Sequence, residues 1–315
     1  MAEGLRVAYP PLEHMLAGDP RLSRADLQHL QDWLAKQPHL PPMLDEELAP
    51  FLACSEYSLQ RAKQLVDKFW TMRTHAPELF SGRDPDDADN REQLQAFRVA
   101  RLPRCAPGGQ RVVVLGYAPA AAFDPARFDG ARSLRLSTAL MEVVGLQEAQ
   151  APAGRAPLAL LLDALHVSLA HLARTPLPAL QRLMAFVQEA APLRISAVHV
   201  IRLGAVGHRA LALVRPLMSP ELQRMTHFHS GDMAEFYEEF PKDILPEEFG
   251  GTCGTIAEYH GALVRELCAR REWLLAQEAR RVDEGRRPPG AASPLQGAYA
   301  QLFGAHGSFR QLQID

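Results

Sequence analysis

Along the first eighty residues the apolar positions recur at helical spacing. Ser23, with Asp26 three residues on, opens a helix that carries Leu27, Leu30 and Leu34 and closes at Pro38. A second short helix starts near Asp45 and runs through Leu48, Phe51 and Leu52. Ser58 caps a third, with Leu59, Ala62, Leu65, Val66 and Phe69 on one face and Arg61, Lys63, Asp67 and Lys68 elsewhere. None of these helices is long enough to stand alone, so they are expected to pack together and against the next domain. Ser81 to Glu92, with Asp84, Asp86, Asp87 and Asp89, reads as a solvated connecting loop. It lacks the ordered Asp spacing, the Gly and the terminal Glu of a calcium loop.

Beyond that break the pattern becomes one of short apolar runs separated by helical stretches. Val112 to Leu115, Leu158 to Leu162, Ile195 to Ile201 and Thr226 to His229 read as strands. Leu134 to Val144, Leu177 to Ala190 and Ala210 to Met218 read as helices between them. This alternation predicts an α/β fold, a small helical domain followed by a mostly parallel sheet, its strands covered on both faces. A long polar helix is expected from about Ala257 to Arg281, with Arg270, Arg271, Arg280, Arg281, Arg286 and Arg287 forming a solvated basic face. The domain limits read as 1–90, 91–260 and 261–315.

Length and composition narrow the class. With 315 residues, 47% apolar and 23% charged, the chain suits two domains with a sizeable core, and a net charge of −3 gives no reason to expect nucleic acid. Met1 to Pro10 lacks the apolar run of a signal peptide, and no stretch approaches the ~20 apolar residues that cross a bilayer. Cys54, Cys105, Cys253 and Cys268 lie far apart without a Cys-x-x-Cys pair, which points to reduced thiols in a cytoplasmic protein.

The chemistry tests favour a binding protein over an enzyme. No dinucleotide or phosphate-loop glycine pattern follows a strand, and no Gly-x-Ser-x-Gly elbow is present. Gly250-Gly251-Thr252-Cys253-Gly254 is glycine-rich but follows no strong strand. His227 and His229 share a strand face, with His166 and His171 as neighbours to check, but no third metal ligand can be named, and His199 reads as a hydrogen-bonded core residue. Neither a metal nor a cofactor is expected. What the chain supplies is apolar lining: Leu158, Leu160 and Leu162 on one strand face, Leu183, Phe186 and Val187 able to roof it, and an apolar stretch with Leu211, Leu213, Val214, Leu217 and Met218. Binary patterning does not separate a filled core from a cavity.

The segment from Arg194 to Gly251 bears on that choice. It runs through PLRISAVHVI, VRPLMSPELQRMTHFHSGD and FPKDILPEEFGG, and the ending Ile244 to Gly251 after a His-x-His strand resembles the CRAL-TRIO (Sec14-like) family of lipid-binding proteins. Phe51-Leu52 through Trp70 resembles the family's N-terminal helical domain. Leu79 to Pro85 and Gly307-Ser308-Phe309-Arg310 resemble its arthropod members, which are similar to tocopherol and retinaldehyde carriers.

The resemblance implies a sheet-floored pocket for one hydrophobic guest, such as a retinoid, tocopherol, carotenoid or related isoprenoid, with a movable helix as gate and release at a membrane. By position the pocket would take Leu136, Ala139, Leu158, Leu160, Leu162, Leu183, Phe186, Val187, Leu193 and Val198. The gate would span Gly204 to Met218 and carry Val206, Ala210, Leu211, Leu213, Val214, Leu217 and Met218. Ser137 or Thr138 would orient a polar end. The family's Ile-Asn-x-Pro entry to the gate is Ile201-Arg202-Leu203-Gly204 here, with Gly207 further on, which predicts a looser hinge. Of the family's phosphoinositide cleft Arg194 remains, while other positions hold Ser55, Gln64, Ser196, Glu221 and Met225; Arg215 and Arg224 would compensate in part. The expected partners are the guest and a transient membrane surface, with phosphoinositide a lesser one. The alternatives are a phospholipid-type transfer protein and a scaffold with the same fold.

Overall fold

The computed structural model describes residues 9–151, 156–229, 233–290, 292–296 and 298–303. The motif at Gly307 to Arg310 lies outside the described residues.

Five strands make one sheet in the order β1 (Phe97–Cys105), β2 (Arg111–Tyr117), β3 (Leu158–Asp163), β4 (Ile195–Ile201) and β5 (Thr226–His229). β1 runs antiparallel to β2, and every later pairing is parallel. β1 was not expected from the sequence. Arg98, Arg101, Pro103 and Arg104 interrupt its apolar pattern, and an edge strand with a register shift tolerates both the charges and the proline. Its inner end is satisfied by His260, whose Nδ1 accepts from Val99 N at 3.2 Å while Nε2 donates to Leu94 O at 2.7 Å.

One face of the sheet carries Val99, Val113, Leu158, Leu160 and Val198, packed against the long helix Gly130–Ala149 and the helix Ile256–Ala269. The other carries Ala100, Val114, Ala159, Leu161 and Ile201 against Phe236, Phe240 and the Ile244–Phe249 segment. The ILPEEFGG element is therefore a buttress for the far face. Gly250 adopts φ +70, and a Cβ on Gly251 would meet Leu245 O at 2.0 Å, so the turn admits only glycine at the second position and favours it at the first.

Helices Arg24–Leu34, Asp45–Cys54 and Leu59–His75 form the N-terminal layer, with Ser23 and Ser58 accepting cap hydrogen bonds from Asp26 N and Arg61 N. Three expectations need correction. The segment from Ser81 to Glu92 is not a solvated loop: it contains the helix Ala88–Gln93, Arg83 is fully buried, Asp84 pairs with Arg271 and Asp89 with Arg132. The C-terminal helix breaks at Arg270 into Ile256–Ala269 and Arg271–Glu278, and Leu263, Leu267, Trp273 and Leu274 are buried. Nor are its arginines a free basic face, since Arg280 pairs with Glu47 and Arg287 with Asp67 across to the N-terminal helices.

Candidate functional site

A cavity of about 320 Å³ lies between the sheet and the helices, within the range of small-molecule pockets of about 300–1,000 Å³. Its floor is Leu160 and Leu162 of β3, Val198 and Val200 of β4, and Leu115 of β2. Alternation along parallel strands sends these side chains to one face, while Ala159 and Leu161 go to the other. The helix Leu177–Glu189 contributes Leu183, Met184, Phe186 and Val187, followed by Leu193 from the turn into β4. Phe186 is itself held in place by Phe80, with ring centres 4.7 Å apart, and by Phe69 at 5.8 Å.

The helix Ala205–Val214 and the turn after it close one side. Leu211, Val214 and Met218 face the cavity, continuing the line of buried Gly207 at spacings of four, three and four residues. Val206, Ala210, Leu213 and Leu217, the other residues of the expected gate, are not among those lining the cavity. Leu213 is 49% exposed to solvent. Three further expected lining residues also lie elsewhere. Leu136 and Ala139 are on the opposite side of their helix, buried in the packed cluster beneath the sheet. The side turned to the cavity is that of Thr138, Met141, Glu142 and Gly145. Leu158 shares the face of Leu160 but sits at the first position of β3, inside the same packed cluster.

Ser137 and Thr138 both border the cavity, yet their hydroxyls are engaged locally. Ser137 donates to Leu134 O at 2.7 Å, and Thr138 lies 2.7 Å from Arg135 O. Arg194, Arg215 and Arg224 are all exposed.

Sequence reasoning missed a whole wall. Met43, Pro50, Phe51, Phe69 and Trp70 of the N-terminal helices reach the cavity, as do Trp273 and Gln277 from the C-terminal helix. The signal for the first group was the apolar face ending at Phe69, which a further helical turn extends to Arg73. Arg73 is buried, stands over the rings of Phe80 and Phe69 at 4.5 and 4.9 Å, and pairs with Glu142. Burial pulls its guanidinium down to about 10, against the pull of Glu142. Burial works against the Glu142 charge, but Arg73 and Arg83 outweigh it and hold that carboxyl below the usual range.

The histidines belong to other places. His199, His227 and His229 stack on the far face of the sheet, His199 Nδ1 lying 2.9 Å from His229 Nε2, and burial with the two neighbouring rings pulls His199 down to about 4. His171 is not near them: it stacks on Tyr117 at 3.9 Å, and burial pulls it to about 4. Among the described residues no group of three His, Cys, Asp or Glu side chains is arranged to hold a metal ion, and no helix is long and apolar enough to cross a membrane.

An apolar chamber floored by a mostly parallel sheet and roofed by helices from both the N-terminal and the C-terminal part of the chain thus sits within an α/β fold. Residues 109–251 form a CRAL/TRIO domain, and residues 19–90 match the family described as Pinta-like, UBA domain. Among curated proteins the chain is similar to a human protein named alpha-tocopherol transfer protein-like, 25% identical over 240 residues that span 75% of this chain and 68% of the relative. The mouse protein of the same name is 25% identical over 261 residues, 79% of this chain and 74% of that one. A solved structure titled "Crystal structure of Sfh5" superposes with a TM-score of 0.49 at 13% identity, covering 68% of this chain and 78% of that one.

Proposed function

We propose that this protein is a carrier that encloses one lipophilic small molecule of the retinoid, tocopherol, carotenoid or isoprenoid type and delivers it to membranes. The observation that carries the reading is the largely apolar cavity of about 320 Å³, bordered on one side by a helix and the turn after it, whose inner line is Leu211, Val214 and Met218. Burying ~400 Å² of ligand surface at about 25 cal/mol per Å² contributes about 10 kcal/mol before association costs, enough to retain such a guest in water. Opening the helix would expose those side chains. Water penalises that exposure and a bilayer interior does not, so membrane contact couples opening to release. Leu213, on the outer side of the same helix, and Phe228 on β5 are 49% and 47% exposed and would reach lipid first.

Native mass spectrometry of the purified protein, followed by lipid extraction, tests the carrier. A single lipophile at one-to-one stoichiometry is expected. An empty protein that also fails to take up the lipophilic dye Nile red would remove the reading. The exposed Arg215 within the gate and Arg224 just after it, with Arg194, give only a sparse basic surface. Sedimentation with liposomes is therefore expected to depend weakly on phosphoinositide content, and strong selectivity lost in Arg194→Ala would contradict this.

A further inference from the structure

The gate segment is strung between two strands: it leaves the end of β4 and returns through the short helix Pro220–Arg224 into β5. β5 is four residues long, lies at the edge of the sheet and pairs, among the described residues, with β4 alone. It joins the gate at the cavity wall, where Leu222 and Thr226 both line the chamber and Thr226 Oγ1 donates to Leu222 O at 2.7 Å. Alternation sends Thr226 and Phe228 to that side, and Phe228 is 47% exposed. On the far face β5 therefore offers two imidazoles, His227 and His229, where the inner strands offer Val114, Ala159 and Leu161.

Both rings pack on His199 of β4, which is fully buried. The ring centres of His227 and His229 lie 5.0 and 5.2 Å from it in near-parallel stacks, and His199 Nδ1 lies 2.9 Å from His229 Nε2. One proton occupies that axis; a second would set N–H against N–H and break the bond. Phe240 presents its ring edge to His199 at 4.8 Å, and Phe236 to His229 at 5.3 Å. Among the described residues the carboxylates that face the stack come from the helix Ala234–Glu239: Glu239, 3.4 Å from His199 Nε2, and Glu235, both of which pull His229 up. Glu239 is 47% exposed and His199 Nε2 makes no hydrogen bond with it, so solvent screens its pull on the buried ring. Burial and the neighbouring rings together keep His199 neutral.

We propose that the His199–His227–His229 stack is an acid-sensitive anchor for the return end of the gate. Neutral, it holds β5 on β4; charged, it frees β5 and the segment before it and speeds loss of the guest. The link to the guest rests on the carrier reading above, whereas the anchor itself does not. Once β5 opens, His199 titrates at its ordinary value of 6.5, so opening is favoured about ten-fold more at about pH 5.5 than at about pH 7.4.

The first measurement is hydrogen exchange of the full chain at those two pH values, corrected for the intrinsic exchange rate. Protection from Met225 to His229 is expected to fall about ten-fold while that of β2 and β3 holds. The second is transfer of Nile red to phosphatidylcholine vesicles, whose headgroup does not titrate in this range, and it is expected to quicken by about the same factor. His199→Asn with His229→Gln places uncharged amides at the two facing atoms, and both responses should shrink to within about two-fold. Protection of β5 that does not change with pH, or that falls equally across the sheet, overturns the anchor and leaves the carrier standing. So does a response that survives in the double variant. Loosened exchange without faster transfer overturns the anchor's role in release. If Nile red does not bind, the carrier reading falls and exchange still decides the anchor. Exchange on the unaltered protein also decides it if the double variant does not fold.

Discussion

Phe186 is the residue on which the cavity and the core converge. It lines the chamber, yet it is 7% exposed and wedged between Phe80 and Phe69. A charged substitution there would therefore unfold the wall as well as spoil binding, and Leu183, less buried on the same helix, separates the two effects better. Leu183→Asp is expected to abolish uptake of Nile red with a small change in urea midpoint, whereas Phe186→Ala should cost about 3–5 kcal/mol of stability. The histidines add a residue-level dependence on pH. His199 and His171 have folded pKa values near 4, below the ordinary value of 6.5. The unfolded chain takes up their protons first as pH falls, so the stability is present above about 6.5 and is lost between there and 4. His171→Phe keeps a ring against Tyr117 and should flatten that acid limb by one proton in urea titrations at several pH values. An unchanged slope would mean that His171 protonates in the folded state. The roles of such residues were only partly legible. His199 read as a core residue from its apolar strand, but nothing in the local sequence placed His171 against Tyr117, more than fifty positions away.

At the scale of elements, the strands that carry the floor were readable because parallel strands buried on both faces are continuous apolar runs. β1 was not, because an edge strand needs only one covered side. The helices were readable as helices but not as faces: Leu136 and Ala139 are as apolar as Met141, and only the crossing of that helix over the sheet decides which side meets the cavity. The gate is the element most open to a direct test. Arg202, just before it, holds φ +55 and is fastened by Asp163, by Glu248 O at 2.9 Å and over the Phe249 ring at 4.8 Å. Gly204 then has open space around it, while a Cβ on Gly207 would meet Leu203 Cδ1 at 2.9 Å and Ala164 Cβ at 3.3 Å. The hinge is thus loose at Gly204 and tightly docked at Gly207. Gly207→Val is expected to wedge the helix away from β3 and raise the rate of dye transfer to vesicles several-fold. Gly204→Ala, which meets nothing, should leave that rate within a factor of two. Equal rates in the two variants would show that this helix does not limit release.

Across the whole molecule, the C-terminal segment is tied to the N-terminal helices and the segment after them by ion pairs between residues far apart in the chain. The polar C-terminal helix looked solvated because its partners, Glu47, Asp67 and Asp84, lie about two hundred residues earlier, and no local pattern reports such pairing. Arg280 and Glu47 are 9% and 3% exposed, so this is a buried pair in which each charge depends on the other. Arg280→Met leaves the Glu47 carboxylate without its main partner and is expected to destabilise the protein by about 3–5 kcal/mol, whereas Arg280→Met with Glu47→Leu should recover most of that loss. The same logic reaches the chamber, since Glu47, Trp273 and Gln277 all border it. Loosening the attachment of the C-terminal helix is therefore expected to open the part of the wall that Glu47, Trp273 and Gln277 border. The single variant should lose bound Nile red before its far-ultraviolet signal falls as urea is raised, and the double variant should hold the dye until the two signals fall together. If the single variant keeps its dye through to global unfolding, the N- and C-terminal helices hold the chamber closed without this pair, and the wall is stronger than the buried charges suggest.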